Sequence, residues 1–206
     1  MSGVDGGVII VGAGFGGIGA AIELQQHGFD DITILDAAPE PGGTWFYNGY
    51  PGAACDVPSH LYSYSYAQRR DWTRLCSPRQ EILTYLQTVA RRHGVDRRIV
   101  TNAEVTACRW DDETARWTVE TADGRSFTGA AVVLATGQLH QPAYPRIPGL
   151  ERFEGEAFHT ARWNHDYDLR GKRVAVVGTG ASAVQFVTEI APDVAQIGRA
   201  SCRERV

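Results

Sequence analysis

The chain is poor in cysteine, poorer in methionine, and has no long apolar run. Its four cysteines, Cys55, Cys76, Cys108 and Cys202, are scattered through 206 residues with no CxxC pair and no His/Cys metal spacing. That pattern argues against a dithiol redox centre or metal site and leaves reduced, structural thiols. No stretch approaches the roughly 20 apolar residues that cross a bilayer. Nor does the N-terminus carry a basic segment followed by an apolar core and cleavage site. A cytoplasmic protein without membrane association is expected. Basic residues do not run together beyond short pairs such as Arg69-Arg70, and the net charge is -4 with a pI near 5.9. The electrostatic footprint of a nucleic-acid binder is missing.

What is present is ordinary globular material, 43% hydrophobic and 21% charged, punctuated by two glycine-rich turns. Val8 to Val11 is a short apolar strand leading into Gly12-Ala13-Gly14-Phe15-Gly16-Gly17. Ile18, Ala21 and Ile22 then mark the inner face of a helix ending near Gly28. Ile32 to Leu35 gives a second strand, closed by Asp36, and completes a βαβ unit. The stretch from Pro39 to Tyr66 is too irregular for regular elements and too aromatic for a solvated linker, so it is expected to wrap a ligand. Ser77 to His93 reads as a helix with Ser77 and Gln80 as a capping box and Ile82, Leu83, Leu86 and Val89 as its stripe. Val105 to Trp110, Trp117 to Thr121 and a run around Ser126 and Phe127 predict a β-meander, with Asp123-Gly124 as one turn. Ala131 to Leu134 reads as a buried strand ending at Ala135-Thr136-Gly137, and a Pro-rich crossover follows over Gln141 to Pro148. Lys172 to Val177 is another apolar strand, running into Gly178-Thr179-Gly180-Ala181-Ser182-Ala183 and a helix with Val184, Phe186, Val187 and Ile190.

Both turns suit a dinucleotide. A diphosphate needs close backbone N–H donors and the favourable dipole of a helix N-terminus, which only a tight, unobstructed turn provides. Gly12 permits the turn, Gly14 the approach of the diphosphate, and Gly17 the packing of helix on strand. Asp36, about 20 residues further on, would accept from ribose hydroxyls and disfavour a 2′-phosphate, so FAD or NAD suits the first turn better than NADP. In the second turn Ala183 takes the third glycine position and Ser182 can offer its hydroxyl. Two such turns suggest two dinucleotides, with flavin first as hydride acceptor and nicotinamide second.

At this point the residues resemble a known family, the class B flavoprotein monooxygenases and, within it, the Baeyer-Villiger monooxygenases. The segment Phe153-Glu154-Gly155-Glu156-Ala157-Phe158-His159-Thr160-Ala161-Arg162-Trp163 is similar to the family fingerprint FxGxxxHxxxW, with Phe153, Gly155, His159 and Trp163 as its matching positions. Trp163 favours the Baeyer-Villiger branch over siblings that oxidise amines and sulfides, while Asn164 departs from the Pro or Asp usual there. Read by itself, His159 is a satisfied loop or core histidine; beside the resemblance it becomes a linker residue with a conformational role. Gly42-Gly43-Thr44-Trp45-Phe46-Tyr47 resembles the family's GGTW stretch and Tyr50 to Asp56 its YPGxxCD stretch. The resemblance implies flavin contacts by Gly43, Thr44, Trp45, Phe46, Tyr47, Asp56 and Tyr62, a second flavin motif at Ala135-Thr136-Gly137, and an adenine contact at Val105. It implies a catalytic role for Asp56, paired with an arginine that stabilises negative charge near the flavin; on the residues alone a loop-capping carboxylate is the minority alternative for Asp56.

The implied protein is α/β, with a Rossmann-type FAD-binding domain and meander over residues 1–137, an inter-domain linker over 138–170, and the start of an NADP-binding domain over 171–196. The implied reaction is reduction of FAD by NADPH, addition of O2 as a flavin peroxide, and attack on a ketone to give an ester or lactone. The choice between NADPH and NADH stays open, as does the oligomeric state. Oxidation of nitrogen or sulfur, and a non-catalytic nucleotide-binding fragment, are the alternatives. The second nucleotide unit is expected to stop after one strand and one helix. The last ten residues, 197–206, back-translate to a common sequencing-library adapter, so a non-native tail is expected there. Arg199 is accordingly left out of the phosphate ligands, and the fragment alone is expected to be inactive.

Overall fold

A computed structural model describes residues 7–139 and 141–200, so Cys202 and the rest of 201–206 lie outside the described residues. In chain order the strands and helices are β1 (Val8–Val11), α1 (Phe15–Gln26), β2 (Ile32–Leu35), α2 (Thr44–Tyr47), α3 (Arg79–Arg92), β3 (Ile99–Val100), β4 (Val105–Asp111), β5 (Arg116–Thr121), β6 (Ser126–Gly129), β7 (Ala131–Leu134), β8 (Arg173–Val177), α4 (Ala181–Ile190) and β9 (Gln196–Ala200). They fall into two compact units. One comprises Met1–Phe46, Tyr64–Gln68 and Ile82–Gln138; the other comprises Tyr47–Ser63, Arg69–Glu81 and Leu139–Val206.

The first unit is built on a parallel sheet ordered β3-β2-β1-β7. Val8 pairs with Ile32 on one side and Ala131 on the other, so β1 is flanked along its whole length. An inner parallel strand is covered on both faces, which is why Val8–Val11 is apolar without alternation and buried throughout. The stripe of α3 is buried as the sequence predicts, with Tyr85 and Ala90 added to it. β4, β5 and β6 form an antiparallel meander, and Val119 of β5 joins Ile9, Leu35 and Ala103 in a buried cluster.

Three expectations change. The stretch from Pro39 to Tyr66 holds regular structure after all: the short helix α2 and a 3-10 turn at Ser59–Leu61. Strand β7 is half-buried rather than buried, and Leu134 is exposed, because β7 pairs only with β1 and forms the sheet edge among the described residues. The second nucleotide unit has a further strand, β9, paired in parallel with β8 from Arg173↔Gln196 to Val177↔Ala200. Parallel pairing is made by backbone groups that any non-proline residue supplies, and only Ile197 of β9 packs against the neighbouring core.

The core of the second unit is a cluster of Tyr50, Ala53, Val176, Ala183, Phe186 and Ile190. Cys55 is buried beside it in sequence, and Ser59 and Ser77 are fully buried and hydrogen-bonded to each other at 2.7 Å. Ser77 is thus tied to Ser59, whose Oγ also accepts from the Ser77 N–H at 2.8 Å.

Candidate nucleotide-binding sites

The first glycine turn is held by contacts that tolerate no side chain. Gly12 leaves β1 with φ +108°, and a Cβ there would meet the Ala135 carbonyl oxygen at 2.4 Å. A Cβ on Gly17 would lie 1.8 Å from the Gly12 carbonyl oxygen, so α1 can leave the strand this tightly only with glycine. Gly43 faces the same turn, its would-be Cβ 2.8 Å from the Gly14 Cα, and the Gly42 N–H donates to the Ala13 carbonyl at 3.0 Å. Gly16, by contrast, is exposed. Glycines 12, 14, 17 and 43 and the Ala135-Thr136-Gly137 segment therefore converge at the carboxyl end of β1. The turn opens α1, whose first N–H groups have no partner within the helix.

Asp36 is buried, and its carboxylate accepts from the Ala13 N–H and, at 2.8 Å, from the Ala38 N–H. It fixes the turn from below, and two N–H bonds do not exhaust the acceptor capacity of its two oxygens. The Ala103 N–H donates to the Asp36 carbonyl at 2.8 Å. Val105, two residues on, packs against the Ile9 and Leu35 cluster, so the meander starts beside Asp36. Trp45 is buried.

Sequence reasoning did not single out Tyr64. Its hydroxyl donates to the Phe15 carbonyl at 2.6 Å, its ring lies 5.2 Å from that of Phe15, and a Cβ on Gly19 would come within 3.0 Å of it. Burial pushes the Tyr64 phenol far above its usual range, with Tyr66 and Tyr85 adding to the shift, so the hydroxyl stays a donor. Tyr64 braces the start of α1, and no local signal announces it, because 49 positions separate the bonded pair.

In the second unit β8 leads through Gly178, at φ +128°, to Gly180 and α4. A Cβ on Gly178 or Gly180 would meet nothing within 4 Å, so the approach to this turn is open. Thr179, Gly180 and Ala181 are exposed, Ser182 is half-buried, and Ala183 is buried in the core of the unit. Arg199 is exposed on β9.

The linker fingerprint divides. Phe153 and Gly155 are exposed, whereas Trp163 meets Phe158 edge-on and Phe186 of α4 at a tilt, with ring centroids 5.1 and 5.3 Å apart. His159 caps the 3-10 turn Thr160–Arg162: its Nδ1 accepts from the Ala161 N–H at 3.1 Å, and its ring meets Tyr144 edge-on at 5.6 Å. Burial, then the Arg162 guanidinium, hold its imidazole below the ordinary value. Arg162 also lies over the Tyr47 ring at 4.6 Å. Asp56 is exposed, Tyr62 half-buried. No group of three His, Cys, Asp or Glu residues able to hold a metal occurs among the described residues, and no helix there is long and apolar enough to cross a membrane.

Two strand–glycine turn–helix units, the first with a buried carboxylate beneath it, define an α/β protein of the Rossmann type. The chain belongs to the pyridine nucleotide-disulphide oxidoreductase family, which it matches across residues 9–201. Cys55, Cys76 and Cys108 are free thiols.

The resemblance to Baeyer-Villiger monooxygenases is borne out. The chain is 50% identical over 187 residues to a Baeyer-Villiger monooxygenase of Streptomyces coelicolor, covering 91% of this chain and 36% of that protein. It is 47% identical over 190 residues to a Baeyer-Villiger monooxygenase of Pseudomonas aeruginosa, covering 92% and 36%. Its fold is similar to that of cyclohexanone monooxygenase from Rhodococcus sp. Phi1 bound to NADP+, with TM-score 0.84 and 38% identity, over 96% of this chain and 38% of that one. The chain thus spans a little over a third of the length of the curated relatives it matches.

Proposed function

We propose that this chain supplies the nucleotide-binding part of a FAD- and NADPH-dependent monooxygenase that inserts one oxygen atom of O2 into a ketone, giving an ester or lactone. The observation that carries the reading is the pair of glycine turns with the Trp163 fingerprint between them, its indole seated on Phe186 of the helix that follows the second turn. The names of the similar proteins, Baeyer-Villiger and cyclohexanone monooxygenase, support the same reaction class.

The first turn fits a flavin dinucleotide. The backbone of Gly14, Gly16 and Gly17 presents N–H donors and the positive end of α1 to a diphosphate, while Gly12, whose own N–H donates to the Leu35 carbonyl at 2.7 Å, shapes the turn. Asp36 accepts from the ribose, and Val105 offers its backbone to the adenine. Gly43, Thr44, Trp45 and Phe46, with Ala135, Thr136 and Gly137, line the route of the flavin. For Tyr47, Asp56 and Tyr62 the family resemblance implies flavin contacts. FAD, when bound, supplies the electron transfer and O2 activation that no side chain can provide. At the second turn Gly178, Thr179, Gly180, Ala181, Ser182 and Ala183 present the amino end of α4 to the diphosphate of NADPH, with room in front of the two glycines. The protein's part is to orient these groups and keep water from the reacting atoms; for Asp56 the family resemblance implies pairing with an arginine near the flavin.

The test is full-length protein carrying this chain, given NADPH, isotopically labelled O2 and cyclohexanone. One labelled oxygen in a lactone product is expected. Sulfoxide from a thioether with no lactone, or a purified protein lacking flavin absorbance, would overturn the reading.

A further inference from the structure

Gln185 lies on α4 two residues beyond the last position of the second glycine turn. It is 135 positions from Tyr50 in sequence, yet its Oε1 accepts from the Tyr50 hydroxyl at 2.8 Å. Its Nε2 donates to the Ala54 carbonyl at 2.9 Å, and the Ala54 N–H reaches back to the same Oε1 at 3.5 Å. Both ends of one amide are spent on one loop, a match that neither a carboxylate nor a hydroxyl can copy, since the site needs an acceptor and a donor side by side. Apolar contacts close around it. Tyr50 and Ala53 are buried with Ala183 and Phe186, and Gly52 passes so near α4 that a Cβ would sit 3.0 Å from the Gln185 carbonyl oxygen. The loop so held, residues 50–56, ends at Asp56.

We propose that Gln185 is a positioning residue that couples occupancy of the second dinucleotide turn to the Tyr50–Asp56 segment. A diphosphate on the first turn of α4 restrains that helix, and the Gln185 amide passes the restraint to Ala54 and thus to the backbone that carries Asp56. This rests on the reading of Gly178 to Ala183 as a nicotinamide nucleotide site. A merely structural Gln185 would steady the loop equally with and without nucleotide. A coupling residue makes the two conditions differ, because coupling is a difference between states.

The test is amide hydrogen exchange on the full-length protein carrying this chain, with and without NADP+, read at Ala53 and Cys55, whose N–H groups donate to Tyr50 and Ser77 carbonyls at 3.1 and 3.0 Å. NADP+ should slow exchange there about tenfold in the parent chain, the equivalent of one net hydrogen bond. Gln185→Ala should bind NADP+ within a few-fold of the parent by calorimetry yet lose the slowing. Tyr50→Phe, which leaves the Ala54 bond, should lose part of it, and Gln185→Glu, which keeps the Tyr50 acceptor but not the donor, should also lose part. Equal slowing in the parent and all three variants overturns the proposal, as does no slowing in a parent that binds NADP+. A parent that fails to bind NADP+ at all overturns the reading of the second turn, and the coupling with it. If Gln185→Ala does not fold, Tyr50→Phe and Gln185→Glu decide, and undiminished slowing in both refutes the coupling.

Discussion

Gly16 and Gly17 are neighbours in the same turn of α1, and replacing each by alanine should move stability in opposite directions. At Gly17 the new Cβ would stand 1.8 Å from the Gly12 carbonyl oxygen and 3.3 Å from Ile10 Cγ2. The first partner is backbone, fixed by β1 and its two sheet neighbours, so relief requires α1 to lift from the strand by more than an ångström. Overpacking of a rigid site costs about 1–3 kcal/mol, and a backbone partner puts Gly17→Ala near about 3. For a chain of this size each kcal/mol moves Tm by about 2–4 °C, giving a drop of about 6–12 °C. At Gly16 the new Cβ would meet only the Ala135 Cβ, at 3.5 Å, an ordinary contact. There alanine gains helix propensity worth about 0.5 kcal/mol, raising Tm by about 1–2 °C. Thermal melts of the flavin-free chain, followed by circular dichroism, check both. If Gly17→Ala melts with the parent, or Gly16→Ala falls as far as Gly17→Ala, the close approach of α1 to β1 is refuted.

Ser59→Ala removes a fully buried hydroxyl that accepts from the Ser77 N–H and bonds the Ser77 hydroxyl and Leu75 carbonyl. The orphaned groups should cost about 1–3 kcal/mol in urea denaturation. Asp36→Ala strands the Ala13 and Ala38 N–H groups together and should cost about 2–4 kcal/mol, with FAD titration showing weakened binding; Asp36→Asn, which keeps one acceptor oxygen, should lose less of each. His159 titrates below its ordinary value of 6.5. The folded chain therefore takes up the proton later than the unfolded chain as pH falls, and stability is lost below about pH 6.5. Melts across that range should show a shallower loss in His159→Gln, and an unchanged slope would remove His159 from the account.

Local periodicity and turn chemistry made much of this architecture legible. β1, α1 and β2 follow from an apolar run, a 3.6-residue stripe and a glycine turn, and the meander from the alternation of its strands and the Asp123-Gly124 turn. The half-exposure of β7 was hidden because burial of an apolar run depends on how many strands flank it, and its four residues do not say. α2 was hidden because its single turn is too short to show a period. The Tyr64 brace and the Gln185 clamp were hidden for a different reason. Each is a hydrogen bond between residues 49 and 135 positions apart, whose partners meet only once the sheet and α4 exist. The glycines that need a special backbone were visible in sequence; the polar partners that hold them were not.

The order β3-β2-β1-β7 has a consequence of its own. The chain steps from β1 to β2 on one side and returns to β7 on the other, so the carboxyl end of β1 is flanked by the ends of two strands that enter the sheet from separate parts of the sequence. Gly12 stands at that end, with the Ala135 carbonyl against it. The location of the first glycine turn is thereby a property of connectivity. The meander, inserted between β3 and β7, can vary in length and sequence without displacing that turn, provided β7 still returns beside β1.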